Sequence, residues 1–340
     1  MRKNYKYTLF IAILLIAWGC NPAINDDDNG SMQGEKILLT SSANASVETG
    51  VRAVSDFPNN GSIGIVAATT IDSLNPRANW NTYMDINNAE AVATSENNGV
   101  FDFTWREQKY WPFDGSNLYF MAYSPAVTDQ IHYLISEDRA SLTIALDPNT
   151  PDVMFASNNS AFQPYNKTSG VVNLGEFRHI LSKLTVEVIA NPEMSGSIVI
   201  SNLSVSTPMR TADYLLFGGD EALIVYPAEI SYVATLASGA VEFKNQPLSN
   251  TILIFPGIQD QVQISITLVD TSNGLDYSAD LMVSFFTNPT NEPVILERAK
   301  NTVLRIYVSN IGVNDPDRNI RLEGTLTDWD YRGNFGISIN

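Results

Sequence analysis

The chain has 340 residues, of which 44% are hydrophobic and 17% charged, enough apolar material for one large domain or two ordinary ones. A formal net charge of -17 repels a phosphate backbone, which excludes a nucleic-acid partner, and it keeps a crowded surface protein soluble. One cysteine excludes any intrachain disulfide, so stability must come from the core.

The chain opens with Arg2, Lys3 and Lys6, followed from Thr8 to Gly19 by a mostly apolar run too short to span a bilayer. Residues 1–19 therefore read as a secretory signal peptide. Cys20 follows Ala17, Trp18 and Gly19, where a bacterial lipoprotein is cut and acylated on its new terminal cysteine. The match departs from that consensus at Ala17, where Leu is usual, and at Trp18, where a small residue is usual. The next stretch, "NPAINDDDNG", is too polar to order itself. Asn25, Asp27, Asn29 and Gly30 fall on calcium-loop spacing, but Lys36 stands where the loop needs Glu, so a solvated tether is the better reading. Asp26 to Asp28 also resemble the acidic signals that route lipoproteins to the outer face of Bacteroidetes cells.

From there on, apolar runs are short, β-branched or aromatic, and bounded by Gly, Pro, Asn, Asp or Ser. Such runs predict strands. Period-two stretches include "SIGIVAA" around Ile63 and Ile65, "VFDFTW" at 100–105, "LYFMAY" at 118–123 and "LTIAL" at 142–146. The second half adds "KLTVEVIA" at 183–190, "IVISNLSV" at 198–205, "TILIFPG" at 251–257, "VQISITLVD" at 262–270 and "NTVLRIYVS" at 301–309. The expectation is an all-β chain, and so many strands exceed one ordinary pair of sheets. "GEFRHILSKL" interrupts the alternation, so the boundary is placed between an N-terminal β-sandwich (53–180) and a C-terminal one (181–340).

No catalytic constellation emerges. His132 and His179 belong to no metal-binding spacing, and His132 alternates with Ile131 and Tyr133 in a predicted strand, at a surface or half-buried position. No nucleophile elbow, phosphate loop or dinucleotide fingerprint is present, and pairing among 37 acidic residues is inevitable. The expectation is a non-enzyme with no cofactor and no metal. The aromatics of "WPFDGSNLYF" could form a sugar platform, but at hairpin spacing they more commonly fill a core.

The same hairpin carries a family resemblance. "YWPFDGSNLYFMAYSP", Tyr110 to Pro125, resembles the signature of the Bacteroidetes fimbrillin-like family, subunits of protease-assembled type V fimbriae. Pro112 suits a strand end, and Asp114-Gly115 turn the chain. "VMFAS" at 153–157, "VNLGEFRHILSKLTVEV" at 172–188, "NTVLRIYVS" near 301 and "GTLTDWD" around Trp329 follow in family order. The resemblance implies two tandem transthyretin-like β-sandwiches on an outer-membrane lipoprotein, matured by an arginine-specific protease. Its cut would fall after Arg52, the first arginine beyond Cys20. Residues 20–52 then form a lipidated tether and a removable strand containing Ile37, Leu39, Val47 and Val51. Removing it would expose an edge that favours another strand, and head-to-tail repetition builds an open filament of like subunits.

The chain stops at "NFGISIN", in which Phe335, Ile337 and Ile339 alternate with small or polar residues. Burying those three contributes roughly 1.5–3 kcal/mol each, against roughly 1–2 kcal/mol for ordering each of the backbones and about 1 kcal/mol gained per ladder hydrogen bond. The tail alone comes near break-even, so it either closes its own second sandwich or is donated to a neighbour. The reading is a structural or adhesive fimbrial subunit at the cell surface, with host or bacterial glycans or proteins as further partners. The alternative is a monomeric, glycan-binding surface lipoprotein; a glycoside hydrolase is a third and weaker fit.

Overall fold

The computed structural model describes residues 34–42, 61–69, 84–97, 100–136, 140–157, 163–192, 197–217, 223–258, 262–286, 295–308, 320–328 and 334–339. Cys20 and Arg52 lie outside them. In chain order the strands are β1 (Leu38–Ser42), β2 (Ser62–Ala68), β3 (Met84–Asn97), β4 (Val100–Trp105), β5 (Leu118–Ser124), β6 (Ile131–Ile135), β7 (Ala140–Ala145) and β8 (Met154–Ser157). There follow β9 (Pro164–Tyr165), β10 (Val171–Asn173), β11 (Glu176–His179), β12 (Ser182–Ala190), β13 (Ile198–Leu215), β14 (Leu223–Val241) and β15 (Leu248–Ile254). The last are β16 (Gly257–Ile258), β17 (Val262–Asp270), β18 (Leu275–Phe286), β19 (Ile295–Leu296), β20 (Lys300–Val308), β21 (Ile320–Asp328) and β22 (Asn334–Ile339). The all-β expectation holds: among the described residues the one helical element is a 3-10 turn at Lys167–Ser169.

The first sheet runs β10-β1-β4-β3-β2-β5-β8-β11, with β9 beside β5. It curls on itself. Phe103 in β4 and Phe177 in β11 have four strands between them, about 24 Å in a flat sheet at about 4.8 Å per strand, yet their ring centroids lie 6.1 Å apart. The curl encloses a core of Ile37, Leu39, Ile63, Ile65, Phe101, Phe103, Trp105, Trp111, Phe120 and Val172. β4 shows the cause in its sequence: Phe101, Phe103 and Trp105 are buried while Val100, Asp102 and Thr104 face out.

β2 and β5 are buried on both faces. Ile63, Ile65 and Ala67 point into the first core, whereas Val66 and Ala68 join a second one with Met121 and Tyr123. That second core continues through Leu142 and Ile144 to Tyr214, then to Leu184, Val205, Ile264 and Ile306. The second sheet runs β15-β12-β20-β21-β22-β18-β17-β13-β7-β6, with β14 beside β13. Its long strand β13 pairs with β17 through Ile198–Ser206 and with β7 through Thr211–Leu215. So β6 and β7, which precede residue 180 in sequence, lie in the sheet built mainly from residues beyond it. The interruption at "GEFRHILSKL" has a physical basis: Ile180 and Leu181 are consecutive and both buried, where the chain passes from β11 of one sheet to β12 of the other.

Candidate functional site

Only nine described residues, 34–42, precede the Arg52 position, and they form one continuous extended segment set into the first sheet. Trp111 N donates to the Glu35 carbonyl at 3.0 Å, and Ile37 N donates to the Lys109 carbonyl at 3.0 Å. Between them Lys36 forms an antiparallel bridge with Tyr110. β1 then pairs antiparallel with β4, Leu39 opposite Phe103 and Ser41 opposite Phe101. On its other side it pairs parallel with β10, Leu38 opposite Val171 and Thr40 opposite Asn173. Leu174 N closes that side by donating to the Thr40 carbonyl at 2.8 Å.

Side chains fix the register. Ile37 is fully buried and Leu39 is 3% exposed, whereas Leu38 between them is 54% exposed. The alternation admits one face to the core, and a slip by one residue would reverse it. The indole Nε1 of Trp105, itself buried, donates to the Ile37 carbonyl at 2.9 Å. Gln108 Nε2 reaches the same oxygen at 3.4 Å, and Thr40 Oγ1 donates to the Phe101 carbonyl at 3.1 Å. Taking β1 away would leave β4 and β10 with unpaired edges, an apolar trench floored by Phe101, Phe103 and Val172, and a buried indole N–H without its acceptor.

At the other end, β22 pairs antiparallel with two strands of its own chain. Phe335 lies opposite Gly324 of β21, and Ile337 and Ile339 lie opposite Phe285 and Val283 of β18. β22 thereby joins the β15-β12-β20-β21 and β18-β17-β13 halves of the second sheet.

The remaining candidates are accounted for locally. His132 is exposed on β6. His179 is buried at the junction of the halves, its Nδ1 2.9 Å from Asp152 Oδ2, with Lys183 Nζ 3.8 Å from the same oxygen. In "WPFDGSNLYF", Trp111 and Phe120 pack edge to face at 6.0 Å inside the first core, and Phe113 alone stands out, 82% exposed. The hairpin aromatics therefore fill the core and form no platform. Sequence reading missed Trp105, whose place at the buried end of "VFDFTW" signals burial but not the partner of its N–H. It also missed β10, three residues long and invisible to a period count.

Fold and site together define an all-β protein whose first sheet is completed by a short strand that is the first among the described residues. The fimbrillin-like family model matches residues 50–329, and the chain belongs to that family. Both β1 and β22 lie outside the matched residues. Among solved structures, a fimbrial protein from Bacteroides vulgatus has the same fold with a TM-score of 0.57 and 15% identity over 87% of this chain and 100% of its own. A candidate cell adhesion protein from Bacteroides uniformis gives a TM-score of 0.56 at 17% identity, covering 88% of this chain and 99% of that one. Comparison with curated protein sequences finds no match.

Proposed function

We propose that this protein is a structural or adhesive subunit of cell-surface fimbriae, with no catalytic role, assembled by strand exchange after arginine-specific cleavage. One observation carries the reading: β1 fills a slot between β4 and β10, and it precedes Arg52 while every other described strand follows it. A cut after Arg52 would leave β1 held by hydrogen bonds and the burial of Ile37 and Leu39 alone. Its departure would open the slot to an extended segment with apolar residues at alternate positions.

The tail of a neighbouring subunit meets that requirement through Phe335, Ile337 and Ile339. Donation would require β22 to leave β18 and β21, so release of the tail and filling of the slot are two halves of one exchange. Because slot and tail are different surfaces, the contact is heterologous and propagates head to tail. Acylation at Cys20 would hold the unprocessed subunit on the outer membrane until the cut separates them. The fimbrillin-like match supports the surface and fimbrial part of this reading.

Purified mature protein treated with an arginine-specific protease is expected to lose residues 20–52 and to form ladders on an unboiled, non-reducing gel. Arg52→Ala is expected to block both. Ladders of equal length from variant and parent would overturn the assembly reading. Cys20→Ala is expected to abolish lipid labelling and membrane retention, and persistent labelling would overturn the anchor.

A further inference from the structure

The second sheet folds over so that β14 and β15 face each other across an open seam. β14 pairs with β13 and β15 with β12, and among the described residues neither has a further strand on its outer edge. A cavity of about 350 Å³ lies in this seam, walled by β14 through Tyr232, Ala234 and Leu236, by β15 through Asn250 and Ile252, and by the turn that carries Asp147. We propose that this cavity binds one or two units of a neutral saccharide.

The walls are held in place before any ligand arrives. Asp147 N donates to Thr150 Oγ1 at 2.7 Å, Thr150 Oγ1 donates to the Ala145 carbonyl at 3.0 Å, and Asn149 N donates to Asp147 Oδ1 at 2.7 Å. Gln130 Nε2 fixes the other carboxylate oxygen at 3.1 Å, and the Tyr232 hydroxyl reaches the Asp147 carbonyl at 3.4 Å. Across the seam Asn250 Nδ2 donates to the Leu236 carbonyl at 2.8 Å. A pocket set this way orders few groups on binding.

Its chemistry selects the ligand class. Among the described residues Asp147 contributes the single charge of the lining and no Lys, Arg or His joins it, so phosphates, sulfates and acidic sugars are repelled. Thr235 presents its hydroxyl at the exposed rim, Thr251 keeps acceptor capacity beside its 2.8 Å bond to the Thr185 hydroxyl, and Asn250 retains its carbonyl oxygen and a second N–H beyond the bond to Leu236. A wholly apolar ligand would strip water from these groups without replacing it. Ala234, Leu236 and Ile252 supply an apolar floor for the C–H face of a pyranose ring. The volume sits at the small end of ligand cavities. A peptide strand is disfavoured, because the Asn250 side chain crosses the seam where a strand would run.

The site lies in the second sheet, whereas the β1 slot lies in the first, and the test does not require cleavage or assembly. The test uses the uncut mature protein and the methyl glycosides of glucose, galactose, mannose and N-acetylglucosamine, followed by saturation-transfer NMR and calorimetry. Saturable binding of at least one is expected, weakened about tenfold or more, a loss of about 1.4 kcal/mol, by Thr235→Trp, which fills the rim from an exposed position, and by Asn250→Ala. Circular dichroism on both variants separates lost binding from lost folding. No saturable binding by any of the four glycosides, or binding that a folded Thr235→Trp variant retains in full, overturns the proposal.

Discussion

The indole N–H of Trp105 and the carbonyl of Ile37 are hydrogen-bonded at 2.9 Å across 68 positions of sequence, in a site that excludes water. The bond ties the leading strand to β4 at a point where the backbone ladder makes no other use of that carbonyl. Trp105→Phe keeps most of the ring volume and removes the donor. It is expected to cost about 1–3 kcal/mol and to raise amide exchange selectively at residues 35–42. Unchanged protection there would show that the indole bond does not hold the strand.

The alternation along β1 makes a sharper contrast between neighbours. Leu39→Ala empties a buried position and is expected to destabilise by about 2–5 kcal/mol. Leu38→Ala, one residue away on the exposed face, is expected to stay within about 0.5 kcal/mol. Urea unfolding of the two variants decides it, and similar losses would mean a different register.

A tight approach inside the first sheet gives another test. A Cβ added at Gly64 would lie 2.1 Å from Tyr123 Cζ, and Tyr123 is anchored by its hydroxyl donating to Asn88 Oδ1. Gly64→Ala must displace that ring from the second core, at a cost of about 1–3 kcal/mol or more. Combining it with Tyr123→Leu is expected to recover part of the loss, because the two positions share one clash. Strict additivity in thermal unfolding would count against that contact.

Alkaline stability follows from buried phenols. Burial pushes Tyr133 up to about 12 and raises Tyr123, while burial and the neighbouring Asp147 raise Tyr232. Below pH 10 the folded and unfolded forms both keep these protons, and their contribution is complete. As pH rises from 10 toward 12 the unfolded chain ionises first, so stability falls. Tyr133→Phe is expected to flatten that decline. Among the described residues its hydroxyl has no hydrogen-bond partner, so the variant should also gain about 1 kcal/mol at neutral pH. Denaturation midpoints measured from pH 8 to about 11.5 check both.

The terminal strand has a structural duty whatever its role in assembly. A chain ending at Gly333 lacks β22 and so loses the link between β21 and β18. Several ladder bonds at about 1 kcal/mol each go with it, and the urea midpoint is expected to drop by the equivalent of about 3 kcal/mol or more. An unchanged midpoint would mean that β22 contributes nothing to the closed fold.

Local periodicity sufficed for much of the fold. "VFDFTW", "LYFMAY" and "KLTVEVIA" became β4, β5 and β12 because a strand buries every second side chain, and that period is written in consecutive residues. The hairpin motif at Tyr110 to Pro125 was enough to point to the fimbrillin-like family. Periodicity could not say which strands pair. "IVISNLSV" reads as one short strand, but β13 continues to Leu215 because β7, far back in the chain, supplies partners for its second half. Nor could it place β1 between β4 and β10, give the Trp105 N–H its acceptor, or leave β14 and β15 facing across a seam. A backbone ladder presents the same donors and acceptors at every residue. The choice of partner was therefore settled only when the curled first sheet and the folded second one closed around their shared core.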